Sequence, residues 1–333
     1  MKKFVALALA VCMVFCLAAC GAPAEADYTL GMGVSVSTNS SKTDNAQVDA
    51  TVAAVVLDKD GKIVSCRIDC AQNKMDVTEG AVDAAKTFKT KMELGDDYGM
   101  VAYGNAIAEW DAQTKAFEEY VVGKTAAEVE GLETVLNDTG HNVSVDEALL
   151  AGCTMDIVAF KDAVVKACGD VNTYAFKAGE GFTLGLAAIS TADESTAAAE
   201  GEDGVVKMYT EFGAAVVGAD GKVLAAATDA IQPKIAINTA GEIGEITFKG
   251  TKMELGSDYG MVAYGNAIAE WDAQAKAFAA YTVGKTAAEI SSIETVLNDT
   301  GHNVSVDETL LATCTMDITG MMAVIAQAAN YAR

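Results

Sequence analysis

One stretch of this chain is written twice. Residues Met92 to Met155, beginning MELGDDYGMVAYGNAIAEWDAQ, return almost letter for letter from Met253 to Met316, an offset of 161 residues (253 less 92). Solenoid repeats recur at roughly 20–50 residues, so a period this long is that of a duplicated domain. The length of 333 residues suits about two domains of ~100–200 residues each. Two tandem copies of one fold are therefore expected, over 28–169 and 181–330, each closing its own hydrophobic interior.

The N-terminus reads as an export signal. Lys2 and Lys3 precede an apolar run from Phe4 to Phe15, and Leu17-Ala18-Ala19 place small residues directly before Cys20. The run is too short to span a bilayer comfortably. The pattern predicts a lipoprotein signal peptide over 1–19, cleaved before Cys20. Acylation of Cys20 would then anchor the chain on the extracytoplasmic face of a bacterial membrane, with 20–27 as a tether. An ordinary signal cleaved after a nearby alanine is the alternative, and it leaves Cys20 without a role. The formal net charge of −24 repels phosphate backbones and anionic lipid surfaces, which argues against a nucleic-acid partner. Five cysteines lie beyond the leader and Cys20: Cys66, Cys70, Cys153, Cys168 and Cys314. Cys66 and Cys70 fall on one face of a strand, about 13 Å apart at ~3.3 Å per residue, too far for a bridge. Buried free thiols are expected.

Within each copy a β-rich region precedes a helical one. Thr29 to Ser37, Val48 to Leu57 and Lys62 to Cys70 read as strands, the last two joined by a hairpin turn at Asp58-Lys59-Asp60-Gly61. In the third strand Val64, Cys66, Ile68 and Cys70 share one face while Ser65, Arg67 and Asp69 share the other, so one face of the sheet is expected to be polar. The second copy repeats this plan with more drift, although Asp69, Gln72 and Lys74 recur as Asp229, Gln232 and Lys234. Asn105 to Val121 predicts an amphipathic helix with Ile107, Trp110, Thr114, Phe117 and Val121 on its apolar stripe. Thr125 to Glu128 is a capping box opening a short helix. Asn137 to Gly140 is a turn, and Ala159 to Cys168 a closing helix. The fold class is α+β, an antiparallel sheet followed by helices in each copy.

Few motifs carry chemistry. Gly123-Lys124-Thr125 lacks the upstream glycine of a phosphate loop, with Glu118 in its place. Asp58 to Gly61 has neither the glycine nor the glutamate spacing of a calcium loop. His141 and His302 are one residue in two copies, and no Cys or His cluster has metal-ligand spacing. No metal site and no catalytic residue are assigned. Tyr98 and Met100, with twins Tyr259 and Met261, sit in dense aromatic, Met and Gly segments at the entrance to the main helix. They could line a flat apolar slot for an aromatic ligand. Alternatively they plug a tight turn into the core.

Four features together resemble the extracytosolic FMN-binding domain family, found as tandem domains in lipoproteins of anaerobic Gram-positive bacteria. They are the Cys20 lipobox, the hairpin Asp60-Gly61-Lys62-Ile63, the block Leu94-Gly95-Asp96-Asp97-Tyr98-Gly99-Met100, and the closing segment that runs from Ala151-Gly152-Cys153-Thr154 into a helix. In that family the closing segment reads Ser/Thr-Gly-Ala-Thr, and its last threonine carries FMN through a phosphoester. The resemblance implies Thr154 and its twin Thr315 as cofactor-binding positions, FMN as cofactor, and electron relay at the cell surface. Here the segment reads Ala151-Gly152-Cys153-Thr154, and Ala312-Thr313-Cys314-Thr315 in the second copy. Two functions stay open: flavin or small-aromatic binding in redox or carrier service, and a structural or interaction lipoprotein without cofactor. A solute receptor fits less well, because such receptors close two different lobes on one ligand.

Overall fold

The computed structural model describes residues 27–333. The expected leader, Cys20 and the tether as far as residue 26 lie outside them. The first half opens with β1 (Tyr28–Ser37), β2 (Asn45–Asp58) and β3 (Ile63–Asp76). Asp58 fixes the β2–β3 turn by accepting the N–H groups of Asp60 and Lys62 through its carboxylate, both at 2.9 Å. Then come α1 (Lys91–Leu94), α2 (Met100–Gly104), α3 (Trp110–Val121), α4 (Ala126–Glu130), β4 (Thr134–Leu136), β5 (Asn142–Ser144), α5 (Glu147–Leu150) and α6 (Val158–Ala167). From the connecting segment, β6 (Thr173–Phe176) adds to β1, giving the antiparallel order β3-β2-β1-β6.

The second half has β7 (Phe182–Thr191), β8 (Gly204–Lys207), β9 (Tyr209–Gly218), β10 (Val223–Ile231), β11 (Lys234–Ile237) and β12 (Ile243–Thr247). These form two small antiparallel sheets, β10-β9-β7 and β12-β11-β8. Thereafter α7 (Lys252–Leu255), α8 (Met261–Gly265), α9 (Trp271–Thr282), α10 (Ala287–Ser291), β13 (Thr295–Leu297), β14 (Asn303–Ser305), α11 (Glu308–Leu311) and α12 (Thr319–Asn330) follow. The architecture is mixed α and β, with several small antiparallel sheets and helices. No helix among the described residues is long and apolar enough to cross a membrane.

Burial explains the strand patterns. One face of the first sheet (Val55, Cys66, Ile68, Cys70) packs beneath Phe117 and Val121 of α3 and Phe160 and Val164 of α6. Trp110, at 3 % exposure, meets Phe160 edge-on at 5.8 Å between ring centroids. Trp271, Phe278, Met321 and Ile325 make the corresponding cluster in the second half. The other sheet faces do not meet water. Leu30, Met32, Val48 and Val52 pack in one cluster with Leu184, Phe212, Val216 and Ile231. The expectation that each copy closes its own interior is thus corrected: each half has a core under its helices, and both halves build a third between their sheets. The expected polar face of β3 is covered as well. Asp69 is buried, and Asn73 donates across the interface to Ser190 Oγ (2.9 Å) and Thr210 Oγ1 (3.0 Å). Asn73 can lie there because its partners come from the other half, while Asp69 is met within its own half by the N–H groups of Cys70 (2.6 Å) and Met92 (3.2 Å), and these bonds offset the cost of desolvation.

The main helix is shorter than its hydrophobic period. Asn105 is left-handed, with φ of 51°, and Glu109 turns back to accept the N–H groups of Met100 (2.7 Å) and Val101 (3.0 Å). The carboxylate caps α2, so α3 begins at Trp110, and Ile107 is exposed rather than on the stripe. The capping box at Thr125 forms as read, closing on Glu128. The five cysteines are free thiols, four of them buried.

Candidate functional site

The sequence explains the local frame on which the candidate residues stand. Thr90 caps α1 in a reciprocal box with Glu93. Asp69 of β3, buried among the strands, accepts Met92 N–H at 3.2 Å and so ties α1 to the sheet. Gln72, two residues beyond the next pleat, accepts the Tyr98 hydroxyl at 3.3 Å. Asp229 and Gln232 do the same for Met253 (3.0 Å) and Tyr259 (3.5 Å). These contacts account for the acidic and amide residues that survive in the otherwise divergent strands. Burial drives the Asp69 carboxyl up to about 6 and the Asp229 carboxyl up to about 7.

Tyr98 and Met100, together with Thr154 from further along the chain, line one cleft of the first half, of about 890 Å³. That volume lies within the roughly 300–1,000 Å³ of small-molecule sites. Its floor is Asp49 and Thr51 of β2 and Cys70 of β3, and its far wall Trp110, Met155 and Phe160. Lys91 Nζ lies 4.8 Å from the Tyr98 ring centroid and 5.5 Å from that of Trp110, a cation held over two aromatic faces. Burial works against the Lys91 charge, but Cys70, Tyr98 and Asp49 outweigh it and hold the ammonium above the usual lysine range. Burial raises the Cys70 thiol, and the neighbouring Lys91 charge works against that rise. His141, exposed in its turn, stands on the rim with Asn137.

Thr154 is set by a residue that sequence reasoning missed. Gln113, fully buried on α3, accepts both Thr154 N–H (2.9 Å) and the Thr154 hydroxyl (3.2 Å), and donates to Ala108 O (2.7 Å). Thr315 has the same arrangement on Gln274, at 2.8 and 3.4 Å. Lys91 was also missed. Nothing in its local sequence marked it out beyond its place as the first helical residue after the Thr90 cap.

The cleft combines flat apolar surface with amide groups. Tyr98, Met100, Trp110 and Phe160 offer apolar surface, while Gln47, Gln72 and Asn105 offer amide groups for ring oxygens and nitrogens. The start of α6 lies two residues after Asp156, whose carboxylate is engaged by backbone. Asp156 accepts Val158 N–H (2.9 Å) and Asn142 N–H (2.8 Å) there.

The second half keeps the frame and changes the floor. Tyr259, Met261 and Thr315 are all half-buried, as are their twins. In the strand registers, Gly31 opposite Val55 and Gly185 opposite Ala215 place Asp49 and Thr51 level with Tyr209 and Glu211. Lys252, at 8 % exposure, lies 4.7 Å from the Tyr209 ring, 5.0 Å from Tyr259 and 5.4 Å from Trp271.

A second cleft, of about 920 Å³, opens where β3 and α3 meet Tyr331 and Arg333. Its buried acid, Glu118, already accepts Ile68 N–H (2.7 Å) and pairs with Arg67 (3.4 Å). Burial lifts the Glu118 carboxyl to about 7. The charges are compensated internally, and none of the candidate residues lies there.

No family model matches the chain, and no solved structure matches it significantly. Over 162 residues, 43 % of its length, the chain is 30 % identical to the chlorophenol reductase of Desulfitobacterium hafniense, covering 50 % of that protein. The chain spans about half the length of this curated relative.

Proposed function

We propose that the chain is an extracytoplasmic, lipid-anchored protein of two FMN-binding-like domains, acylated at Cys20, whose first copy holds a flavin ring or another small planar aromatic without a covalent bond, in redox or carrier service. One observation carries the reading: Thr154, distant in sequence, converges with Lys91, Tyr98, Met100 and Trp110 on a single cleft. A planar ring entering it gains apolar burial against Trp110 and Phe160 and a cation above its face. The protein supplies position and electrostatics, and any redox chemistry belongs to the ligand. The relative's name, chlorophenol reductase, joins a reduction to a small aromatic compound and supports the same reading.

Absorbance of the purified chain after loading with riboflavin and desalting tests this proposal. A yellow protein that loses all its flavin on denaturation is the expected result. A flavin band that survives a denaturing gel would mean covalent attachment and overturn the non-covalent reading. Colourless protein that gains no thermal stability from riboflavin, FMN or simple aromatics would leave the structural or interaction role as the better account.

A further inference from the structure

The second half contains, as one of its own side chains, a molecule of the kind the first half has room for. Tyr209 stands where the first half has Asp49, and its phenol ring shares one hydrophobic cluster and one lysine, Lys252, with Tyr259 and Trp271, the twins of the Tyr98, Trp110 and Lys91 that bound the first-half cleft. Its hydroxyl accepts from Lys252 Nζ at 3.3 Å and donates to Glu211 Oε1 at 3.2 Å. Burial, and then the Glu211 carboxylate, hold that phenol well above the ordinary tyrosine range, so it is neutral. Glu211 completes the filling by reaching the start of α12. A Cβ on Gly320 would come within 1.6 Å of its carboxylate. The first half has Ala159 at that helix position and Thr51 opposite, and both line the cleft. Three differences therefore act together: Asp49 for Tyr209, Thr51 for Glu211, Ala159 for Gly320. They separate an open cleft from one closed by the chain itself.

We propose that the first-half cleft binds a neutral phenol-bearing aromatic in the place that Tyr209 fills in the second half, with Lys91 donating to the hydroxyl oxygen and Asp49 accepting a hydrogen bond from its O–H. The inference rests on the aromatic-ligand reading above and narrows it to a class. Lys91 repeats the position of Lys252 over its aromatic pair, 4.8 and 5.5 Å against 5.0 and 5.4 Å. Asp49, tied to Gln47 Nε2 at 2.9 and 2.8 Å, lines the same cleft close enough to Lys91 to act on its charge, and so offers a ligand hydroxyl the carboxylate acceptor that Glu211, from the neighbouring strand position, offers Tyr209. The second half binds nothing there, because its own ring is already in place.

Calorimetric titration of the full chain with p-cresol, the tyrosine side chain as a free molecule, tests this directly, with toluene and riboflavin as comparisons. The wild type is expected to bind one p-cresol per chain, at least about tenfold more tightly than toluene. Asp49→Tyr with Thr51→Glu and Ala159→Gly should abolish that site, and Tyr209→Ala should add a second. Lys91→Met, which keeps the side-chain length, should lower p-cresol affinity about tenfold and leave toluene unchanged. It serves as the readout if the triple variant does not fold. Riboflavin binding without p-cresol binding, or equal affinity for p-cresol and toluene, would overturn the phenol assignment and leave the wider reading standing. Failure of all three ligands would remove both.

Discussion

At the residue scale, Gln113 does more than any residue the sequence marked out. One buried amide fixes Thr154 through two bonds and the approach to α3 through a third. Replacing it with leucine leaves Thr154 N–H and Ala108 O without partners, at about 1–3 kcal/mol each for groups denied water. Thr154→Val loses one hydroxyl contact and keeps the backbone bond. Urea denaturation should therefore show Gln113→Leu as clearly the more destabilising, and the reverse order would mean that Thr154 is held by something else. Gln113 escaped notice because the repeated block is nearly identical throughout, so recurrence could not separate a bonded amide from its neighbours. Titration gives a second expectation. Asp69, Asp229 and Glu118 have folded pKa values raised by burial, from 3.8 to about 6, from 3.8 to about 7 and from 4.5 to about 7. Between about pH 4 and 7 the folded chain holds protons that the unfolded chain has released, so stability falls as pH rises through that window and levels off above it. For Asp69 with Asp229, replacement by Asn in both should flatten the pH 4–7 slope of the urea midpoint. An unchanged slope would place the titrating groups elsewhere.

At the scale of elements, the closest contacts are between helix and strand. A Cβ on Gly31 of β1 would lie 1.9 Å from Ala167 O of α6, and one on Gly185 of β7 would lie 1.8 Å from Ala328 O of α12. Backbone carbonyls cannot yield as side chains can. Gly185→Ala should lower stability by at least about 1–3 kcal/mol, the cost of overpacking a filled interior, as read by the thermal midpoint. A neutral substitution would mean that α12 is free to lift from the sheet. Strands, hairpin turns and capping boxes were legible in the sequence because each depends on residues within a few positions of one another. The start of α3 was not. Its apolar period continues back through Ile107, but the Glu109 carboxylate caps the preceding turn and stops the helix. That is a competition between two local structures, and periodicity records only one of them.

At the scale of the molecule, the halves share an interior. Phe212, fully buried on β9, belongs to the cluster that also contains Leu30, Met32 and Val52 of the first half. Phe212→Ala should cost about 3–5 kcal/mol and, in a Trp271→Phe background, lower the unfolding midpoint reported by Trp110. An unmoved Trp110 transition would mean that the halves unfold independently. The duplication was plain in the sequence, but which faces would meet was not. Asn73, Ser190 and Thr210 have the look of solvent-facing positions until each is seen to be the other's partner. The cleft was half legible. Tyr98, Met100 and Thr154 stood out as aromatic, Met and threonine positions, whereas the difference between the copies depends on Tyr209 and Glu211, in strands where drift hides single substitutions. The most direct measurement is the fluorescence of Trp110 in the Trp271→Phe chain during titration with riboflavin. Saturable quenching at one ligand per chain is the predicted result. Quenching absent there, but present for Trp271 in the Trp110→Phe chain, would put the ligand in the half that its own tyrosine was held to close.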